Sequence, residues 1–272
     1  MKYFSFLIRF VILPLFVMRL LVWRDRKNSI QPPTALQNWD EDTVLFAHVA
    51  VAVGYTTLWD NYLVANKVWS YDPDLVTGIT IGYVPIEEYS FFVLQTLLTG
   101  TWAQFLAARM PIDNSPYRTT HPAFRATTTA AVGLVWALSA RRLIQDRKNY
   151  LHLILTWALP PIMIQTALGG DILWRHRKLI LASILPATAY LGATDSLAIE
   201  SGTWTINPEN ITGLNAISKH LPFEELLFFF LTNVLLVFGV TLVQAKESEN
   251  RLPEMLKPYY TRFKQKILDN RL

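Results

Sequence analysis

The chain contains no cysteine, which leaves it without a disulfide framework or a thiolate site and gives no clue to its redox compartment. It is also poor in charge: only 17% of its 272 residues are charged, against roughly a quarter in soluble domains. No Gly-rich fingerprint follows a strand pattern, so a dinucleotide or flavin site has no support. No Asp-rich pair of the kind that holds magnesium on a diphosphate lies in the apolar stretches, which argues against diphosphate ionisation. The last apolar stretch has no lysine in its middle, only Lys219 at its threshold, so a retinal Schiff base is unsupported. Neither a metal site nor a nucleic-acid partner is expected, and the net charge is only +4.

What the chain has in excess is apolar sequence. Hydrophobic residues make up 51%, and stretches near the roughly 20 residues that cross a bilayer run over 3–23, 44–65, 85–107, 123–140, 151–170, 179–198 and 221–244. They predict an all-α integral membrane protein of seven transmembrane helices. The fourth, "AFRATTTAAVGLVWALSA", is the least apolar and can instead lie in the interface. The first is long for a signal peptide, is interrupted by Arg9 and lacks a small-residue cleavage site, so it is expected to be retained. "RDRK" from Arg24, Arg109, Arg118, "RHRK" from Arg175 and the basic tail fall on one face of this arrangement; Arg141, Arg142, Arg147 and Lys148 fall on the other. The positive-inside bias then puts the C-terminus in the cytoplasm and the N-terminus outside.

The chain also repeats itself. Asp60, Trp69, Asp72, Pro73, Asp74 and Gly78 lie 135 positions before Asp195, Trp204, Asn207, Pro208, Glu209 and Gly213. Pro85, Glu87, Glu88, Phe91 and Phe92 lie 137 positions before Pro222, Glu224, Glu225, Phe228 and Phe229. A fixed offset of this kind marks duplicated units. The units are 1–110 and 151–245, three helices each, joined by a connecting helix within 111–150 and followed by a basic tail, 246–272. Four spans separate equivalent helices, so the two copies are parallel, related by a pseudo-twofold along the membrane normal.

This topology places the acids at one depth near the outer face. Asp60 ends helix 2 where Glu87 and Glu88 begin helix 3, and Asp195, Glu224 and Glu225 repeat the layout. The "WSYDPDLVTG" and "WTINPENITG" loops, carrying Trp69 and Trp204, lie above as lids, and Arg9 is expected nearby as a counter-charge. A single Pro-x-Glu-Glu suits a helix start without further purpose; two copies beside matching aspartates point to function, because ionisable residues in spans are usually functional. Phe91, Phe92, Phe228 and Phe229 read equally as lipid-facing bulk or as site lining. Trp23 suits the interfacial belt. His48 reads as a satisfied core histidine, and Gln95 as part of a polar stripe or a tie between helices.

Carboxyl groups withdrawn from water and placed side by side hold at least one proton at neutral pH. Such a pair is a Brønsted acid beside an apolar substrate, suited to protonating an isolated alkene, closing a ring on the carbocation and removing a proton again. Aromatic faces stabilise the cation, and excluded water cannot trap it. The product is an isomer, so no cofactor is expected.

The paired Pro-x-Glu-Glu-x-x-Phe-Phe motifs, with "LWDNYLVANKVWSYDPD" and "ATDSLAIESGTWTINPE" upstream, resemble the membrane-integral lycopene cyclase domain family, over nearly the whole chain. The resemblance implies conversion of the open ψ-ends of lycopene into β-ionone rings, through γ-carotene to β-carotene. It carries the motif acids onto Glu87, Glu88, Glu224 and Glu225; Asp60 and Asp195 complete the expected catalytic set, and Phe91, Phe92, Phe228, Phe229, Trp69 and Trp204 are the candidates to bind substrate. Asp72 becomes Asn207 in the second copy, so the halves need not be equivalent. The expected partners are lycopene or a related long polyene, the lipid bilayer and the upstream carotenoid enzymes that make the substrate, since no phytoene synthase domain follows here. Another prenyl cyclisation (C50, ε-ring or meroterpenoid) and a carotenoid-binding or transport protein are the alternatives.

Overall fold

The computed structural model describes residues 1–112, 120–252, 254–255 and 257–269; Arg118 and Arg271, two of the basic positions counted above, lie outside them. Among the described residues, seven helices exceed twenty residues: α1 (Tyr3–Lys27), α2 (Glu41–Ala65), α3 (Ile86–Ala107), α4 (Pro122–Gln145), α5 (Tyr150–Arg175), α6 (Arg177–Glu200) and α7 (Phe223–Gln244). Four of them, α1, α5, α6 and α7, are long and apolar enough to cross a membrane, and the chain is a mostly helical membrane protein. α2, α3 and α4 have the length but less apolar character. Asp60 in α2 and Glu87, Glu88, Gln95 and Gln104 in α3 are buried inside the protein, which removes their cost against lipid. α4 packs on α5 and buries only Ser139, in keeping with its low hydrophobicity. Two short helices end the described chain, α8 (Lys246–Asn250) and α9 (Lys257–Asp269).

The helix prolines explain how the bundle is tied together. Proline removes the N–H that would bond the carbonyl four residues back, and in a membrane that carbonyl needs another donor. Pro14 frees the Phe10 carbonyl within the π-helical turn Ile8–Ile12, and the Tyr190 hydroxyl donates to it at 2.9 Å. Pro161 frees the Trp157 carbonyl, which accepts from the Tyr55 hydroxyl at 2.7 Å. Pro186 frees the Ala182 carbonyl, which accepts from Trp102 Nε1 at 3.2 Å. Each vacancy becomes a contact between helices.

α3 and α7 are central. α3 packs on α1, α2, α6 and α7, while α7 packs on α5, α6, α2 and α3. Midway down, Asn233 Oδ1 accepts from Gln95 Nε2 (3.1 Å) and Thr99 Oγ1 (2.9 Å), and Asn233 Nδ2 donates to Thr188 Oγ1 (3.1 Å). Gln95 is therefore a tie between helices. Arg9 does not face the acids. α1 turns Tyr3, Phe6, Leu7 and Val11 inward, and helical spacing leaves Arg9 on the other side, exposed and nearest Met1 Sδ at 3.8 Å.

Two strands cover one end of the bundle. β1 (Trp69–Tyr71) pairs antiparallel with β4 (Trp204–Ile206), in the register Trp69↔Ile206, Ser70↔Thr205, Tyr71↔Trp204; a small hairpin of β2 (Thr80–Ile81) and β3 (Val84–Pro85) lies beside them. The loops after β1 and β4 turn in the same way. Asp72 Oδ1 accepts from the Asp74 N–H (2.9 Å) and Asn207 Oδ1 from the Glu209 N–H (3.0 Å), so the Asp-to-Asn change between the copies preserves this turn. Gly78 and Gly213 take φ of +79° and +78°, a conformation that favours glycine.

Candidate active site

α2 ends where α3 begins, bringing Asp60 to the level of Glu87 and Glu88; α6 and α7 do the same for Asp195, Glu224 and Glu225. Pro85 and Pro222, each just before its helix, set the backbone so that both glutamates fall in the first turn. All six carboxyls are buried, and among the described residues none is ion-paired. The Arg109–Asp25 pair follows the far end of α3, about 30 Å away by helix length.

Within each pair the glutamates, about 100° apart around the helix, have different tasks. Glu87 Oε1 accepts from the Thr77 N–H at 2.7 Å, and Glu224 Oε1 from the Thr212 N–H at 2.6 Å. These two hold the covering loops down. Glu88 and Glu225 instead line one cavity of about 30 Å³ together with Asp195, room for no more than about two waters. The cavity is thus shared between acids that lie on both sequence copies.

The two cavity glutamates have unlike surroundings. Glu88 Oε2 accepts from the Tyr3 hydroxyl (2.6 Å) and the Tyr71 hydroxyl (3.0 Å). Tyr71 lies in β1, outside the long helices; burial, reinforced by neighbouring Glu88, pushes its hydroxyl well above the ordinary range and keeps it a donor. Tyr150 lies beside Glu225. Trp204 Nε1 donates to Asp195 Oδ1 at 3.0 Å, whereas the equivalent Trp69 Nε1 and both Asp60 oxygens have no partner there. Buried polar atoms are nearly always paired, so this concentration of unpaired ones sets the region apart. Among the described residues no group of three His, Asp or Glu is arranged to hold a metal ion.

Phe91, Phe92, Phe228 and Phe229 are buried, not turned to lipid. Phe91 meets Phe229 edge-on across the α3–α7 contact (6.2 Å), and Trp59 stacks on Trp157 (4.5 Å) and Phe228 (5.6 Å). Trp69 packs on Trp59 and Tyr150, and Trp204 on Tyr3 and Phe6.

The profile of a family described as lycopene cyclase matches residues 36–106 and 147–243, more than half of the chain and both Glu-Glu motifs. The chain belongs to the lycopene cyclase family. It is 40% identical over 209 residues to the lycopene beta-cyclase of Halobacterium salinarum, covering 75% of this chain and 85% of that protein. It is 35% identical over 199 residues to the bifunctional lycopene cyclase/phytoene synthase of Phycomyces blakesleeanus, covering 70% of this chain and 32% of that protein. The corresponding bifunctional protein of Aspergillus niger is 34% identical over 201 residues, 71% and 33% of the two chains. No solved structure shows significant similarity.

In this lycopene cyclase family chain, the six acids and both lid tryptophans gather at one end of the bundle. Tyr3, Tyr71, Tyr150, Trp59 and Trp157 escape sequence reading. Tyr3 and Tyr150 do have a signal: each opens the first helix of its copy, 147 positions apart, but the self-comparison begins only at Asp60. His48 Nδ1 donates to the Val44 carbonyl (2.7 Å), as a core histidine does, and His48 also borders a second cavity.

Proposed function

We propose that this chain is a lycopene β-cyclase in which Glu88 and Glu225, one from each copy, act on a ψ-end held in one composite site. The observation that carries it is the convergence of Glu88, Glu225 and Asp195 on a single aromatic-walled cavity. Glu225 gives its proton to C2 of the C1=C2 double bond, leaving the cation at C1. The C5=C6 double bond attacks C1, forming the C1–C6 bond and moving the cation to C5. Glu88 then takes the C6 proton, restoring C5=C6 within the ring. One proton enters and one leaves, so the product is an isomer and no cofactor is consumed. Glu88 suits the role of acceptor because two phenols already aim O–H groups at its Oε2; Glu225 suits that of donor because only one phenol, Tyr150, lies beside it. Phe91, Phe228 and Phe229 offer ring faces to the cation, while Glu87 and Glu224 are positioning groups that hold the lids.

The wider arrangement we infer is seven spans in two parallel copies, 1–110 and 151–245, with α4 as connector, the carboxyls toward the outer face and the C-terminus in the cytoplasm. Several contacts recur under the same offsets and support this reading. Ser70 pairs with its own equivalent, Thr205, at the centre of β1–β4, as a twofold requires. Tyr55 to Trp157 and Tyr190 to Phe10 are equivalent bonds, as are Thr77 to Glu87 and Thr212 to Glu224.

Expression in a lycopene-accumulating host with chromatography of the pigments tests the function. The native chain should yield γ- and β-carotene, and either Glu88→Gln or Glu225→Gln should leave lycopene, with a rate loss of about 10²–10⁴-fold. Full two-ring activity with all four motif glutamates changed to Gln would end the proposal. Single variants that stop at one ring would replace the composite site by two.

A further inference from the structure

Directly beyond the carboxyl cavity lies a larger one of about 240 Å³, and the two share the walls Phe91 and Phe228. Residues in 48–56 of α2, 157–165 of α5 and 228–236 of α7 line it, eight steps of helix each, or about 12 Å of depth. No Lys, Arg, Asp or Glu borders it. Its polar lining is uncharged and largely engaged elsewhere: Gln165 Nε2 donates to the Leu235 carbonyl at 2.8 Å, His48 Nδ1 to the Val44 carbonyl, and Gln95 Nε2 to Asn233 Oδ1. Resting on the cyclase reading, we propose that this cavity is the channel for the unreacted length of the polyene, and that the chain slides in sideways from the lipid between α2 and α5.

The opening is where those two helices pack less closely than their neighbours, meeting through Tyr55 and Trp59 on Trp157. Val51, 66% exposed, and Tyr55 stand at its rim, where Tyr55 is stacked on Trp157 at 5.6 Å and bonded to its carbonyl. An apolar mouth on the lipid-facing side admits a substrate dissolved in the bilayer. The volume falls below the roughly 300–1,000 Å³ of pockets that enclose a ligand of drug size, so the channel holds part of a long polyene and the rest trails into lipid. A channel that leads to one carboxyl cavity presents one end of the polyene at a time. After the first ring closes, the molecule must withdraw and return with its other end, so the one-ring product is released between turnovers.

The absence of cysteine makes the test clean. Val51→Cys in purified protein is treated with a bulky lipophilic maleimide after folding, with and without lycopene, and Leu58→Cys, on the same helix but outside the cavity and 81% exposed, is the control. Bound lycopene should slow labelling of Val51→Cys by about tenfold or more and leave Leu58→Cys unaffected. Labelled Val51→Cys should lose both polyene retention and conversion, whereas labelled Leu58→Cys keeps them. Protection is also measured in the Glu88→Gln/Glu225→Gln chain, which separates binding from chemistry. Protection there, with no turnover by the native chain, would spare the channel and sink the cyclase reading. Native turnover with no protection at Val51→Cys, or with full activity after its labelling, would overturn the channel and leave the cyclase standing.

Discussion

Glu87 and Glu88 are neighbours in sequence and opposites in use. Glu87 accepts a backbone N–H from the covering loop, and a glutamine oxygen can accept the same bond. Glu87→Gln should therefore keep activity within about fivefold, the effect of roughly one ordinary hydrogen bond, whereas Glu87→Ala releases the 72–78 loop and should lose far more. Turnover of the two variants in membranes checks this; a Gln variant as inactive as Ala would mean that Glu87 transfers the proton itself. Tyr71→Phe removes one of the two O–H groups on Glu88. It should slow cyclisation by about tenfold while substrate retention stays unchanged, a pattern expected of a residue that positions an acceptor and not of one that binds the polyene.

At the scale of the helix, prolines in α1, α5 and α6 cost local hydrogen bonds and win tertiary ones. Tyr55→Phe leaves the Trp157 carbonyl without its donor and should lower stability by about 1 kcal/mol, as expected for one hydrogen bond, including those inside membranes. Pro161→Ala restores an N–H four residues on, so in the double variant the loss from Tyr55→Phe should largely vanish. Thermal unfolding in detergent, followed by tryptophan fluorescence, reads this cycle; strictly additive losses would mean that Tyr55 acts through its ring stacking alone. The covering strands obey a similar economy: β1 alone is three residues long and acquires its ladder only from β4 in the other half.

For the whole molecule, the inferred topology puts the lids and the C-terminal helices on opposite sides of the membrane. Lys67, exposed beside β1, and Glu254, exposed after α8, are suitable reporters in a chain without cysteine. In sealed cells, Lys67→Cys should react with an impermeant maleimide, and Glu254→Cys should react only after permeabilisation. Labelling of both from outside would reject the odd number of spans. Under the proposed duplicated architecture, a twofold frame would place one shared cavity at its axis, and differences at equivalent places, such as Tyr71 against Ile206, would let one glutamate differ from the other.

The apolar runs, the doubled motif and the shared level of the acids at one end of the bundle were legible in the sequence, because helix length, the 3.6-residue period and a constant offset are local or self-comparing properties. The helices lie close to the expected stretches, and the low hydropathy of 123–140 matches a helix that rests mainly on α5. What the tertiary structure decided is which side chains meet. Arg9 turns outward because the inward face of α1 is set by what it packs on. The division between loop-holding Glu87 and Glu224 and cavity-facing Glu88 and Glu225 depends on loops whose path no periodicity encodes. Tyr3 reaches Glu88 across 85 positions, and such pairing follows only from the packing of α1 against α3.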